Sequence, residues 1–454
     1  MVLLKITLVF IVIVLLLRLK APFSISILLA GLVLGIGFST KGVNSVFSDI
    51  GKSVLVTLQA PDTISLSIIV GIILVLSELL QSSGQMTELG QLIIKNFGLR
   101  RWTYTILPAI IGLLPMPGGA LFTAPMMDEV SETCIPAHKK TLINYWFRHI
   151  WEYAWPLYPG LVLAAGLAGV NLNKLSLIQS PFTVISALIG AVFILPGIKM
   201  LDVHTHPVRK TTDGDKDIIR SLEHNKEHRS DRDSELSNGV HKISFKGLIK
   251  IAYLISPIII IILLFVAFKL DMLICVLTGL ALAILNILIS RKLRVIGMLK
   301  VIFGKLSVYQ MIFVVVSVLI FTGIMRSSTL ISELSRFFTG GIDGNIPFVY
   351  MTITIIFLPF IIGLLTGLTV GFVGITFPLI FSTIVPGGID VMPMAILAYI
   401  SGVSGVMLSP VHMCLVLTNQ YYNSEFSRVY KTLIPVSLSV LALAVMGFLL
   451  YTLL

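Results

Sequence analysis

Leu107-Pro108-Ala109-Ile110-Ile111-Gly112-Leu113-Leu114 returns in the second half of the chain as Leu358-Pro359-Phe360-Ile361-Ile362-Gly363-Leu364-Leu365, with one substitution. Working outward, Ser82-Ser83 ahead of Glu88-Leu89 recurs as Ser327-Ser328 ahead of Glu333-Leu334. Pro156 with Leu161-Val162-Leu163 recurs as Pro410 with Leu415-Val416-Leu417, and Leu29-Ala30-Gly31-Leu32 faces Leu277-Thr278-Gly279-Leu280. Apolar sequence produces any one such match by chance. Four in the same order, at nearly constant offsets, indicate an internal duplication.

The repeated unit is built for lipid. The 454 residues are 56% hydrophobic and 12% charged, with a mean hydropathy of +0.98, too little polar surface for a soluble chain of this length. Apolar runs of about 17–25 residues, long enough to cross a bilayer as helices, recur throughout. They are too long and continuous for the alternating pattern of an outer-membrane barrel. Spans are expected near 3–19, 22–40, 63–80, 140–165 and 181–198, then near 248–268, 271–290, 308–325, 393–418 and 430–452. Two further stretches, 103–127 and 347–386, are interrupted by Pro and Gly. The first span has no cleavage site and reads as a retained helix. Gly84 to Phe97 reads as an amphipathic surface helix, with Ser327 to Phe338 as its counterpart.

This gives two units, 1–200 and 247–454, around a hydrophilic linker, 201–246. The linker holds His204, His206, His224, His228 and His241 without fixed ligand spacing, so it reads as a solvated connector. Cys134, Cys275 and Cys414 lie far apart and suggest neither a disulfide framework nor a metal motif. The net charge of +11 fits basic residues retained in cytoplasmic loops, rather than nucleic-acid binding. If both interrupted stretches turn back, the Lys- and Arg-rich loops and the linker share the cytoplasmic side and both termini lie outside. Each unit then has five spans and one re-entrant hairpin. That odd number of crossings turns the second unit upside down. The expected fold class is an all-α polytopic inner-membrane protein with two inverted repeats, each of five transmembrane helices plus one hairpin.

Interrupted helices persist in a bilayer where they line a polar cavity. One pair of interruptions is Pro115-Met116-Pro117-Gly118-Gly119-Ala120, with Thr123, and Thr366-Gly367-Leu368-Thr369-Val370-Gly371. These are candidate hairpin tips. The other pair is Trp155-Pro156-Leu157-Tyr158-Pro159-Gly160 and Ser404-Gly405-Val406-Met407-Leu408-Ser409-Pro410, candidate mid-membrane breaks. Half-helices starting there aim free N–H groups and a positive dipole end into the cavity, which suits an anion. The candidate substrate-binding residues are therefore Pro117, Gly118, Gly119, Thr123, Pro156, Tyr158, Thr366, Gly367, Thr369, Gly371, Ser404, Gly405, Ser409 and Pro410. A single kinked helix would explain any one break; four at related positions favour a site. Ionisable residues within a span are candidates by default. Arg148, His149, Glu152 and His412 are read as proton- or ion-coupling residues, with Arg148 and Glu152 spaced to share a helix face. The blander readings are an interfacial position for the first three and a packed, hydrogen-bonded ring for His412.

The layout of three spans, a surface helix, a hairpin, a broken span and a last span in each half resembles the ion transporter superfamily. That group includes the sodium/dicarboxylate symporters, gluconate and lactate permeases, and citrate carriers. The stretch from Leu114 to Met126 looks like that of an uncharacterised prokaryotic permease family within the group. The resemblance implies an elevator-type carrier of a small organic anion such as a carboxylate, driven by a proton or sodium gradient, on a scaffold that often forms a homodimer. The tips carry Pro-Gly-Gly and Thr-Gly-Leu-Thr in place of the Ser-Asn-Thr of the dicarboxylate branch.

Two other classes compete. Gly402-Val403-Ser404-Gly405 fits the Gly-x-Ser-Gly of intramembrane serine proteases, which would need a histidine beside Ser404. An anion channel would need rings of like residues along a pore. No nucleotide-binding, dinucleotide or zinc-protease motif is present, so neither an enzyme, a cofactor nor a resident metal is expected.

Overall fold

The computed structural model describes residues 2–39, 43–97, 103–116, 119–130, 135–196, 244–291, 295–333, 348–381 and 390–453. The linker and Cys134 therefore lie outside the described residues. Every long element is helical: α1 (Val2–Arg18), α2 (Phe23–Gly37), α3 (Val43–Gln59), α4 (Pro61–Ser82), α5 (Gln85–Phe97), α6 (Thr103–Gly112), α7 (Gly119–Val130), α8 (Ala137–His149), α9 (Pro159–Ala168) and α10 (Leu172–Ile194). After the linker come α11 (Phe245–Val266), α12 (Met272–Arg291), α13 (Val295–Phe303), α14 (Leu306–Ser327), α15 (Phe348–Thr366), α16 (Thr369–Leu379), α17 (Val391–Met407), α18 (Met413–Tyr421) and α19 (Phe426–Leu453).

Seven of these helices, α4, α10, α11, α12, α14, α15 and α19, are long and apolar enough to cross a membrane. The chain is a multi-pass membrane protein. α1 and α10 present ladders of exposed Leu, Ile and Val, including Leu4, Leu8, Ile11, Leu15, Val184, Leu188 and Val192. In water such surfaces would be a liability; against acyl chains they cost nothing.

Shorter apolar helices flank the interruptions. α6, α9 and α16 run 10, 10 and 11 residues, about 15 Å at 1.5 Å per residue and half the hydrocarbon thickness. The expected 140–165 span is accordingly two pieces, α8 and α9, separated by a short 3-10 turn at Ile150–Tyr153 and a non-helical stretch. The expected 393–418 span is likewise α17 and α18.

Small residues set how closely these pieces cross. A Cβ on Gly363 would lie 2.3 Å from the Gly402 carbonyl oxygen, and one on Gly405 would lie 2.0 Å from that of Phe360. α15 and α17 thus meet backbone to backbone, as glycine faces allow in membranes. α6 meets α8 the same way, with a Gly112 Cβ falling 2.2 Å from the Arg148 carbonyl oxygen.

Two helices were not legible as elements. α3 carries Asp49 and Lys52, and α13 carries Lys300, which break the apolar runs used to find spans. α3 packs on α14 through the Ser53–Ser327 hydroxyl bond (2.8 Å) and the close approach of Thr57 to Gly323. α10 starts ahead of the expected 181–198 span because Asn171 caps it, accepting from the Lys174 N–H at 3.0 Å, and because the helix runs through Pro181. α5 matches the expected amphipathic helix, burying Met86, Leu89 and Ile93 on one face. Of its counterpart, residues 334–338 lie outside the described residues.

Candidate functional site

The interrupted segments converge on a buried polar cluster. Arg148, His149, Glu152, His412 and Cys414 are each at most 8% exposed. A guanidinium and a carboxylate so placed demand partners, because burying either alone is costly. Arg148 reaches them from the last turn of α8. Its Nη2 donates to the Met116 carbonyl at 3.3 Å and its Nη1 lies 3.8 Å from Cys414 Sγ. Gly119 makes this possible, since a Cβ there would sit 2.0 Å from Nη2.

Arg148 and Glu152 reach different partners. The helix tightens to 3-10 at Ile150, and at about 120° per residue the four-residue spacing no longer keeps two side chains on one face. Glu152 Oε1 instead lies 4.0 Å from His149 Nε2. Among the described residues its Oε2 is buried without a hydrogen-bond partner, as is Arg148 Nε.

The histidines face each other across the two breaks. His149 Nδ1 lies 2.6 Å from the Tyr145 carbonyl and His412 Nδ1 lies 2.9 Å from the Gly367 carbonyl. A carbonyl oxygen only accepts, so both Nδ1 atoms carry the proton. Their Nε2 atoms then approach to 3.4 Å, the rings edge to face.

Four helix N-termini surround the cluster. α7 starts at Gly119 beside Arg148, α18 starts directly after His412, α16 starts two residues after Gly367, and α9 starts after Tyr158. None of α9, α16 and α18 has a side-chain cap on its first turn. Gly367 has a φ of +63°, which turns the chain sharply between α15 and α16, and a Cβ there would press on the His412 backbone and Ser409 Oγ. α9 lies on α16 with Gly160 against Thr369. The carbonyls freed at the end of α6 are taken up by side chains from the α8–α9 break. Trp151 Nε1 donates to Ala109, Tyr158 OH to Gly112 and Trp155 Nε1 to Leu113, at 2.6, 2.8 and 2.9 Å.

The remaining candidates spread outward. Gly119, Tyr158, Gly367 and Ser409 border the cluster. Pro156 is buried in the α8–α9 break, Pro410 is exposed in the α17–α18 break, and Thr366 bonds back to the Ile362 carbonyl at 2.8 Å, next to Gly371. Thr369 opens α16. Thr123 is occupied elsewhere: its hydroxyl bonds Asn144, whose Nδ2 donates to the Ala120 carbonyl at 2.9 Å, tying α7 to α8. Gly405 serves the α15–α17 crossing. Ser404 is buried, and no hydrogen bond joins it to His149 or His412, whose ring nitrogens are directed elsewhere. Pro117 and Gly118 lie outside the described residues. Sequence reasoning passed over Cys414 and Tyr145. Cys414 had a signal, the His412-x-Cys414 spacing directly after a helix break. Tyr145 had none beyond being aromatic.

A family described as "Protein of unknown function (DUF401)" has a model that matches residues 2–207 and 240–453, leaving out only the middle of the hydrophilic linker and the chain ends. The chain belongs to this family. No curated protein matches it. As a DUF401 member it therefore draws no activity from a relative, and the chemistry must come from the cluster itself.

Proposed function

We propose that the protein is a secondary active transporter of a small organic anion such as a carboxylate, working by elevator-type alternating access and driven by a proton or sodium gradient. The observation that carries this reading is the buried Arg148 guanidinium, with its unpartnered Nε, among four helix N-termini at the crossing of the broken segments. Each N-terminus contributes about half a positive charge. Together with Arg148 they make a low-dielectric pocket that favours an anion. His149, His412 and Glu152 supply groups able to take up or release a proton beside it. Pro156 and Gly160, with Thr366, Thr369 and Gly371, would form its outer wall.

An inverted duplication is part of the proposal. Equivalent pairs of helices pack alike: α1 on α2 and α11 on α12, α6 on α8 and α15 on α17, α7 on α18 and α16 on α9. Gly112 presses on the Arg148 carbonyl as Gly363 presses on that of Gly402. The first turn of each half passes through a left-handed residue, Lys20 at φ 62° and Lys269 at φ 52°. Termini outside the cell, a cytoplasmic linker and the inner membrane as location belong to the same reading, and so does a homodimeric scaffold.

The test is uptake by proteoliposomes. Purified protein should accumulate labelled carboxylates, screened together with sugar acids, under an imposed proton or sodium gradient. Arg148→Lys should abolish uptake without lowering the amount of folded protein. Gradient-independent flux at channel rates, or uptake unchanged by Arg148→Lys, would defeat the proposal.

A further inference from the structure

We infer that His149, His412 and Cys414 form a binding site for one transition-metal cation of the zinc class. Their ligand atoms, Nε2, Nε2 and Sγ, all lie within 4.8 Å of one another. Both histidines hold their Nδ1–H groups on backbone carbonyls, Tyr145 and Gly367. That is the outer-shell arrangement that fixes a metal-ligating imidazole, because it leaves the Nε2 lone pair free and aims it. Here two such lone pairs converge at 3.4 Å. With both rings neutral, neither nitrogen can donate to the other, and the Cys414 thiol, hydrogen-bonded to His149, can satisfy only one of them; a cation between them satisfies both.

The distance identifies the kind of cation. Imidazole nitrogens bound to zinc at about 2.0–2.1 Å in a tetrahedral centre stand about 3.3–3.4 Å apart. The observed separation fits without moving either ring. A thiolate at about 2.3 Å from the metal would lie about 3.5 Å from each nitrogen, which Cys414 reaches by closing no more than about 1.3 Å. Arg148 Nη1 lies 3.8 Å from the same sulfur. Glu152 stands 4.0 Å from His149 Nε2 with its second oxygen buried and unpartnered. It supplies counter-charge or the fourth ligand. Two nitrogens and one sulfur select zinc, cobalt or copper over magnesium or calcium, which prefer oxygen.

This inference rests on the geometry of three side chains; a bound cation would take the Nε2 atoms that the transport reading leaves to a proton, so the two exclude each other at that place, while the binding test is read without transport. The five linker histidines could bind metal adventitiously, so the experiment uses full-length protein with His204, His206, His224, His228 and His241 all changed to Ala. In detergent at neutral pH, with free zinc set by a competing chelator, this protein should bind about one zinc per chain. Cobalt should give visible bands of tetrahedral intensity and a near-ultraviolet thiolate charge-transfer band. Cys414→Ser should remove the charge-transfer band, and His149→Gln or His412→Gln should weaken binding by at least about a hundredfold. Should a histidine variant fold poorly, the charge-transfer band of the unaltered cluster and its loss in Cys414→Ser still decide the matter. No stoichiometric zinc, cobalt bands without charge transfer, or binding unchanged in Cys414→Ser would overturn the inference.

Discussion

Gly112→Ala should be among the most damaging single-methyl additions in the molecule, and the structure gives the size of the effect. The new Cβ would lie 2.2 Å from the Arg148 carbonyl oxygen, 3.0 Å from its carbon and 3.1 Å from its Cα. All three are backbone atoms, so no rotamer change relieves the clash. Restoring ordinary contact requires α8 to retreat from α6 by about 1 Å, a gap that forfeits a quarter to a half of the dispersion energy across the crossing. Overpacking of this kind costs about 1–3 kcal/mol. The retreat also pulls at the Tyr158–Gly112 bond and draws the Arg148 side chain from Met116. Gly363→Ala, which meets the Gly402 carbonyl at 2.3 Å, should cost a similar amount without touching Arg148. Gly447→Ala is the control, because nothing lies within 4 Å of the added atom, and an exposed helical Gly→Ala gains up to about 1 kcal/mol. Thermal unfolding in detergent, read alongside anion uptake, separates the cases. Gly112→Ala and Gly363→Ala should both lower the midpoint, Gly112→Ala should depress uptake further at matched folded protein, and Gly447→Ala should hold or raise the midpoint. A Gly112→Ala protein as stable as the unaltered chain would mean that α6 and α8 do not cross at this distance.

Other consequences are more local. Tyr158→Phe strips the hydroxyl from the buried Gly112 carbonyl, and thermal unfolding should report a loss of about 1–3 kcal/mol. Lys305→Met breaks the half-exposed ion pair with Glu78; the loss should stay below about 1 kcal/mol and shrink in high salt. Single cysteines introduced at Gly118 and Gly371 in a cysteine-free chain should react with impermeant reagent from opposite sides of the membrane, and labelling from one side would remove the inverted arrangement.

What could be read in advance followed from physics that is local in sequence. Long apolar runs announce spans whatever surrounds them, and α4, α11, α12, α14 and α19 lie where such runs were found. Pro and Gly clusters announced the interruptions, since several such residues together do not sustain a helix, and the helices do stop at 112, 149, 366 and 407. α3 and α13 were missed because amphipathic helices dilute hydropathy with Lys and Asp. The expected partnership of Arg148 with Glu152 assumed a continuous α-helix. The change to 3-10 at Ile150 depends on contacts with α6 and α10, which no window of sequence contains. Cys414 was set aside because its partners are distant in the chain. His149 stands more than two hundred and fifty residues away, and only the meeting of two breaks makes the three residues neighbours.

The cluster also explains why matched backbones need not carry matched chemistry. If both halves descend from one unit, Pro156 aligns with Pro410, Tyr158 takes the place of His412, and Arg148 that of Gly402. The glycine-to-carbonyl crossings are kept in both halves, Gly112 on Arg148 and Gly363 on Gly402, because any side chain there would force the helices apart. Side chains pointing away from the crossing are free of that constraint. Arg148, His149 and Glu152 come from one half, His412 and Cys414 from the other. Under the proposed duplication such a cluster has no symmetry mate, because the equivalent positions hold Gly402, Val403, Val406, Tyr158 and Gly160. On the proposed transport reading, alternating access would proceed around a single asymmetric centre, so equilibrium binding should saturate at one anion per chain, and two equivalent sites would contradict this account of the duplication.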